Sequence, residues 1–390
     1  MDLTFTDAQD AFRDELRGWL ADHVDWDVAV GPPTFDSLDE QVAFGRGWQA
    51  RLAAGGWVGV WWPAVFGGRG VDATSHFIVQ EELARVRAPE LVGRIGVNLA
   101  GPTILTNGSD AQKSRWLPNI LDASELWCQL FSEPGAGSDL AAVATRATRA
   151  DGGWRLTGQK VWTSWAQYAD WGLCLARTNP DVRRQAGITY FVVDMHADGV
   201  EARPLRQVTD EADFNEVFLD EVFVPGDNVI GDVDDGWRVA RSTLSFERGV
   251  NPRQLVRHFQ LLEQLLRLAL ERDAFDDVRR RQRLAAAYTE VRIFQLHNWR
   301  TLSRLERGED PGPEGSALKL WWSEMSKRLH DTAMDVLGPD AATWEDPSWQ
   351  RSWLYYKASS IFGGTSEIQR TIVGEQVLGL PRPPKRKGAA

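Results

Sequence analysis

The period at which apolar residues recur changes twice along this chain, and no fold built from one kind of element accommodates both changes. Phe5, Ala8, Phe12, Leu16, Trp19 and Leu20 return every three or four positions, the spacing of one helix face. A polar loop with Gly31-Pro32-Pro33 follows, and helical patterning resumes from Leu38 to Ala54, where Gly55-Gly56 stops it. The segment WVGVWWPAVFGGRG reads as an irregular buried connection, and further helices are predicted over Asp72–Val86, Gly93–Gly108 and Ala111–Leu121. After Ser124 the texture becomes short and alternating in GGWRLTGQKVWTSW, YADWGLCLART, GITYFVVDM and EADFNEVFLDEVFVP, bounded by Gly, Asn, Asp and Pro. At Asp235-Gly236 it turns helical again, with Trp237–Glu247, Arg253–Arg272, Val278–Arg307, Ser316–Val336 and Ser348–Leu378 as the predicted helices. The expectation is an α+β multidomain chain: helical over 1–124, β over 125–235, helical over 236–380, with a flexible tail over 381–390.

A chain of 390 residues, 43% apolar and 25% charged, has the balance of an ordinary globular protein with two or three domains. Its two cysteines, Cys128 and Cys174, exclude a disulfide scaffold, and neither they nor the six histidines fall in a metal-binding spacing. No apolar run is long enough to span a bilayer, and the N-terminus MDLTFTDAQD carries acids where a signal peptide carries bases, so a cytoplasmic location is expected. A net charge of -11 disfavours nucleic acid; the basic clusters Arg279–Arg283 and PRPPKRKG are short and read as a solvated helix face and a terminus. The 19 tryptophans show no repeat period, and most are expected to pack. Neither G-x-G-x-x-G in a strand-to-helix context nor a P-loop is present, which sets aside nicotinamide dehydrogenases and P-loop enzymes.

Three strings carry more specific information. In LFSEPGAGSDLAAVAT (Leu130–Thr145), Gly135 and Gly137 permit close backbone approach. GQKVWTSW follows some twenty residues later, and SSIFGGTSEIQRTIVGEQVLGL lies near the C-terminus. With them the chain resembles the acyl-CoA dehydrogenase family along nearly its whole length. The resemblance implies an N-terminal helical domain, a middle β-barrel-like domain and a C-terminal four-helix bundle holding FAD, with a neighbouring subunit completing the site.

Carried over residue by residue, the resemblance places Phe131 and Ser132 against the flavin and Ser138 against the CoA moiety. Trp162 matches the aromatic residue on the flavin and Ser164 the hydroxyl at its reactive edge, although Trp165 and Ala166 stand where Asn and Gly are usual. Many relatives carry a catalytic glutamate at the position of Gly363; here that position offers only its backbone N–H. Another branch keeps the base earlier, immediately before an Arg, and LSFERG supplies Glu247 with Arg248 there. The bland alternative for Glu247 is a surface carboxylate paired with a cation. Arg272 and Phe275 are similar to an Arg-x-x-Phe signature whose Arg contacts the cofactor pyrophosphate, but Asp276 replaces the usual Gly, so a phosphate ligand and a plain surface cation both stay open. Gly338 lies where relatives have a Gly-Gly loop, after Asp335 in place of Gln, and Thr365 and Glu367 match contacts to the adenosine side of FAD.

The implied chemistry is α,β-dehydrogenation of an acyl-CoA to a trans-2-enoyl-CoA: Glu247 takes the α proton, hydride leaves the β carbon for flavin N5, and the Gly363 N–H helps hold the thioester oxygen. An electron-transferring flavoprotein is the implied acceptor. The implied assembly is a homotetramer, a dimer of dimers, with a heterotetramer of two different chains as the alternative. Base placement at Glu247 favours a branched, long or sterol-derived acyl group, and a straight medium chain stays open. A flavin oxidase or monooxygenase on the same scaffold, and a partner subunit that completes another chain's FAD site, are the competing readings. The abundance of Arg, Ala and Trp hints at a high-GC, actinobacterial source.

Overall fold

The structure, a computed structural model, describes residues 5–182, 184–246, 252–309, 312–344 and 347–382. Glu247 and Arg248 therefore lie outside the described residues, as does most of the expected tail. The chain divides into two compact units, Asp7–Glu247 and Met1–Thr6 with Arg248–Ala390.

The first unit opens with five helices: α1 (Asp7–His23), α2 (Leu38–Ala54), α3 (Ala73–Arg85), α4 (Gly101–Asn107) and α5 (Asp110–Leu121). Side chains end them as local chemistry requires. Ser37 accepts the Glu40 N–H at the start of α2, Asp72 accepts the Ser75 N–H before α3, and Ser109 and Gln112 exchange hydrogen bonds at the start of α5. Leu16, Leu20, Trp48, Leu52, Val79 and Leu83 form their shared interior, each large side chain contributing about 1.5–3 kcal/mol by burial. The Trp-rich connection is buried as expected through Trp57, Val58, Val60 and Trp62. The helix predicted over Gly93–Gly108 is not continuous: a π-helical turn, Gly96–Ala100, leads into α4, whose first turn holds Pro102. Proline has no N–H for an uninterrupted ladder, so the chain starts a new helix there.

Seven strands follow: β1 (Trp127–Leu130), β2 (Arg146–Ala150), β3 (Gly153–Ser164), β4 (Trp171–Arg177), β5 (Ile188–Asp194), β6 (Val200–Leu205) and β7 (Phe214–Pro225). They form one sheet in the order β1-β4-β2-β3-β7-β6, with β5 antiparallel to β4. β3 and β7 are long antiparallel partners whose register slips between Leu156 and Gly158 and again between Lys160 and Thr163. The second slip is the feature that matters for the site. Helix α6 (Gly236–Phe246) then packs within this same unit, where the Thr243 hydroxyl lies 2.8 Å from that of Thr103 and 3.1 Å from that of Tyr190.

The second unit is helical: α7 (Pro252–Glu271), α8 (Val278–Glu306), α9 (Gly315–Leu337), α10 (Ser348–Lys357) and α11 (Ser366–Ile372). Leu255, Leu262 and Leu265 of α7, Val291 and Phe294 of α8, and Met325 and Leu329 of α9 are buried at helical spacing. The single helix expected over Ser348–Leu378 is broken. α10 ends in a 3₁₀ turn, Ala358–Ser360, and the chain passes through Gly363 and Gly364, both left-handed with φ of +61° and +87°, before Thr365 caps α11. Two consecutive left-handed residues cannot continue a right-handed helix. The architecture is that of a helical N-terminal region, a middle β-sheet domain and a C-terminal helical bundle.

Candidate active site

β1 runs into the loop Phe131–Thr145, and the loop is closed by its own residues. The backbones of Glu133 and Ala136 exchange hydrogen bonds at 3.0 Å in each direction, making a tight turn around Pro134-Gly135. The Glu133 carboxylate accepts the N–H of Ala144 at 2.6 Å and of Thr145 at 3.0 Å, tying the loop's far end to its beginning. Lys160 of β3, with no exposed surface, donates to Glu133 Oε1 and to the Leu175 carbonyl, each at 2.7 Å. Burial pushes the Glu133 carboxyl upward, but the ammonium of Lys160 and the hydrogen bonds from Lys160, Thr145 and Ala144 outweigh it and hold it below the usual carboxylate range. This buried pair was not singled out in the sequence.

One residue beyond Lys160, the Val161 N–H donates to the Ser132 carbonyl at 2.9 Å, so the loop and β3 lie side by side. Trp162 comes next, at the register slip. Its φ is +61°, the residue is 61% exposed, and its ring lies edge-to-face with that of Phe214 with centroids 6.3 Å apart. Trp48, Trp57, Trp62, Trp116, Trp127 and Trp154 are all buried, so Trp162 departs from the packing role expected of this residue type. A bulky residue in the left-handed region and turned to solvent is strained without gaining burial, a combination that marks functional positions. Ser164 ends the strand opposite Phe214, and Trp165 again takes a left-handed φ of 52°, its N–H bound to the Asp213 carbonyl at 2.8 Å.

Phe131, Ser132, Trp162 and Ser164 are accordingly brought together, with Ser138 exposed farther along the loop. The Phe131 ring, however, is buried edge-on against Tyr190 at 5.8 Å, which leaves its backbone as the part able to face a ligand. An open aromatic face fits a flavin ring.

In the helical unit the expected residues fall into two groups. Near the start of α9, Lys319 Nζ donates to the carbonyls of Ser359 at 2.7 Å and Gly364 at 2.9 Å, while Gln369 Nε2 donates to those of Gly363 at 3.1 Å and Gly364 at 3.2 Å. The two-glycine turn is thereby held from both sides. Burial lowers the Lys319 ammonium to about 8. Thr365 caps α11 by accepting the Ile368 N–H at 3.2 Å, and Glu367 stands exposed in the first turn, held below the usual range by its own N–H and the Thr365 hydroxyl. At the other end of α9, about 28 Å away at 1.5 Å per residue, Gly338 ends the helix with a left-handed φ of +60°. There Arg272 is paired with Asp340 at 2.5 Å, and the carbonyl of Phe275 accepts from Arg281 at 2.9 Å. Arg272, Phe275 and Gly338 thus form a group separate from Gly363, Thr365 and Glu367.

Among the described residues there is no cluster of ligating side chains for a metal, and no helix is long and apolar enough to cross a membrane. Three family models match in succession: the acyl-CoA dehydrogenase N-terminal domain over residues 6–124, the middle domain over 128–222 and the C-terminal domain over 234–378. The chain belongs to the acyl-CoA dehydrogenase family, a class of FAD-dependent oxidoreductases. It is 42% identical to the acyl-CoA dehydrogenase IpdE1 of Mycobacterium tuberculosis over 384 residues, covering 96% of this chain and 98% of that protein. Among solved structures it is similar to the Tcur3481-Tcur3483 steroid ACAD, with a TM-score of 0.83 and 27% identity over 98% of this chain and 100% of that one. It is also similar to the ChsE4-ChsE5 complex of Mycobacterium tuberculosis, with a TM-score of 0.81 and 29% identity over 98% of this chain and 100% of that one.

Proposed function

We propose that this enzyme dehydrogenates an acyl-CoA thioester between its α and β carbons, giving the trans-2-enoyl-CoA, and that its substrate carries a branched or ring-bearing acyl group. The observation that carries this reading is the exposed, left-handed Trp162 set beside the closed loop Phe131–Thr145. FAD, when bound, supplies the acceptor for the hydride that leaves the β carbon.

The chain's own residues account for the rest. Trp162 offers its ring face to the flavin, with Ser132, Ser164 and the backbone of Phe131 beside it. Glu247 removes the α proton as a carboxylate, since Gly363 has no side chain to do so. The Gly363 N–H, on a turn fixed by Lys319 and Gln369, meets the charge that develops on the thioester oxygen. Ser138 and Arg248 serve the CoA portion. Arg272, Phe275 and Gly338 on one side, and Thr365 and Glu367 on the other, contact the remainder of FAD.

The distance between those groups along α9 supports a cofactor shared among subunits, in a homotetramer or with a second, different chain. The solved relative described as the ChsE4-ChsE5 complex contains two differently named chains, which favours the latter. The relative described as a steroid ACAD favours a sterol-derived acyl group. An electron-transferring flavoprotein is the fitting acceptor.

The test is anaerobic mixing of the oxidised enzyme with short, long, branched and steroid-derived acyl-CoAs while flavin absorbance is followed. Bleaching by ring-bearing substrates, lost in Glu247→Gln with FAD retained, is the expected result. Equal bleaching by Glu247→Gln would remove Glu247 as the base, and bleaching by straight chains alone would overturn the substrate class.

A further inference from the structure

Among the described residues, Lys160 and Glu133 are the most deeply buried ion pair, and the reaction does not use it. Lys160 is wholly buried and Glu133 is 7% exposed, although they lie in different segments of the chain. Removing two charges from water costs several kcal/mol for each ion, so such a pair is weak evidence for stability. What it does supply is geometric definition.

Lys160 Nζ reaches Glu133 Oε1 at 2.7 Å, the Leu175 carbonyl on β4 at 2.7 Å and the Phe131 carbonyl at 3.4 Å. Glu133 in turn holds the N–H groups of Ala144 and Thr145, the far end of the loop that contains Gly135, Gly137 and Ser138. Lys160 lies two residues before Trp162, at the last paired position before the register slip. The pair therefore fixes both the closure of the loop and the point at which β3 departs from its regular course.

We propose that Glu133 and Lys160 form a buried latch that positions the flavin-facing loop and Trp162 before the cofactor arrives. Both are positioning residues, acting through Ser132, the loop backbone and Trp162. The inference rests on the FAD-dependent reading above and adds to it an assignment of what sets the site's shape.

The experiment compares full-length wild type with Lys160→Met, Glu133→Gln and the double variant Glu133→Gln/Lys160→Met. Each single change leaves an uncompensated buried group and is expected to lower expression and melting temperature. The double variant removes both charges and is expected to fold and to melt above either single variant, though below wild type, because the Gln amide can accept from only one of the Ala144 and Thr145 N–H groups. Its dissociation constant for FAD should rise on the order of tenfold, as for other groups that act by orienting a contact residue. The vibronic structure of the bound flavin band and its near-UV circular dichroism should change as well. A double variant with wild-type FAD affinity and flavin spectra would overturn the latch, whatever its melting temperature.

Hydrogen exchange on wild type with and without FAD decides the matter if the variants do not fold. The amides of Ala144, Thr145 and Val161 should be equally protected in both forms, with Gly135 and Gly137 gaining protection only when FAD is added. Protection of Ala144 and Thr145 that appears only with FAD would mean that the cofactor makes the closure, and the latch would fall. Wild type that takes up no FAD, either alone or together with a second chain that completes the site, sinks the functional reading itself, a result distinct from a double variant that merely behaves like wild type.

Discussion

The ammonium of Lys319, near the start of α9, donates at 2.9 Å to the carbonyl oxygen of Gly364, a residue 45 positions later. Burial lowers this ammonium from 10.5 to about 8, so its charge is lost within an accessible pH range. Two effects of opposite sign follow. For stability, the folded chain releases the proton before the unfolded one does, so the cost of burying the charge is fully present below pH 8 and fades as pH rises toward 10.5. For positioning, the charge-assisted hydrogen bonds to Ser359 and Gly364 weaken as pH rises through about 8. Substrate-dependent flavin bleaching in wild type should therefore fall on the alkaline side of pH 8, while Lys319→Arg, which stays charged, should lose that inflection. An identical alkaline limb in both proteins would exclude Lys319 as its source.

Trp162 yields a prediction in which fold and function move in opposite directions. The residue is 61% exposed and its φ is +61°, so the native fold gains little from the side chain and bears the left-handed backbone. Trp162→Gly should leave the melting temperature of the FAD-free protein unchanged or raise stability by about 1 kcal/mol. The same change should weaken FAD binding, because the exposed aromatic face is gone. Calorimetry of the cofactor-free protein and flavin fluorescence titration measure the two effects separately. A large loss of stability with FAD affinity intact would reverse the assignment.

What the sequence could and could not show follows from the range of the interactions. Helical and alternating periods are local, so α1, α2, α7, α8 and α9 were legible from the spacing of residues such as Leu16, Leu20, Leu255 and Leu262. Trp162 was legible only through the resemblance of its segment to known relatives; its exposure depends on a register slip between β3 and β7, which pairing across the sheet creates. Glu133 and Lys160 were missed because charges far apart in sequence look like surface residues. A signal did exist: Trp154, Leu156 and Lys160 share the alternating inward face of β3, and a lysine in that series needs a buried partner. The break after α10 was signalled by Gly363-Gly364, yet the apolar spacing on either side matched one long helix.

Gly363 and Gly364 share a left-handed turn but differ in their surroundings. A Cβ on Gly363 would meet nothing nearer than Lys319 Cε at 3.7 Å, whereas one on Gly364 would lie 2.5 Å from Gln369 Nε2. Gly363→Ala should cost about 1–2 kcal/mol for the left-handed backbone alone. Gly364→Ala should cost more, by about 1–3 kcal/mol, because it also displaces the amide that satisfies the Gly363 and Gly364 carbonyls. Chemical denaturation of the two variants measures the difference directly. Equal destabilisation would show that the Gln369 amide moves aside without loss.

The core of the helical bundle holds two buried, hydrogen-bonded histidines, His258 and His330. His258 Nδ1 binds the Gln254 carbonyl at 2.6 Å and its Nε2 lies 2.7 Å from the Ser326 hydroxyl; His330 Nδ1 binds the Ser326 carbonyl and its Nε2 lies beside the Ser352 hydroxyl, both at 2.7 Å. Each ring donates to a backbone carbonyl through Nδ1, so Nε2 is the acceptor in the neutral form. The His330 ring also stacks on Tyr356 with centroids 4.4 Å apart. Burial lowers His258 to about 3 and His330 to about 4, against 6.5 for a free imidazole, with Arg257 opposing protonation of both and Asp331 favouring that of His330. Because the folded values lie below the unfolded one, stability is fully present above pH 6.5 and declines as pH falls toward 4 and below. The loss should be on the order of several kcal/mol across that window. His258→Gln/His330→Gln should be less stable than wild type at pH 7, since each replacement disturbs a buried hydrogen-bond pair, but should show a flatter acid limb. Denaturation midpoints measured from pH 7.5 to 4.5 test this: parallel curves for the two proteins would place the acid sensitivity elsewhere, while converging curves would assign it to these two histidines.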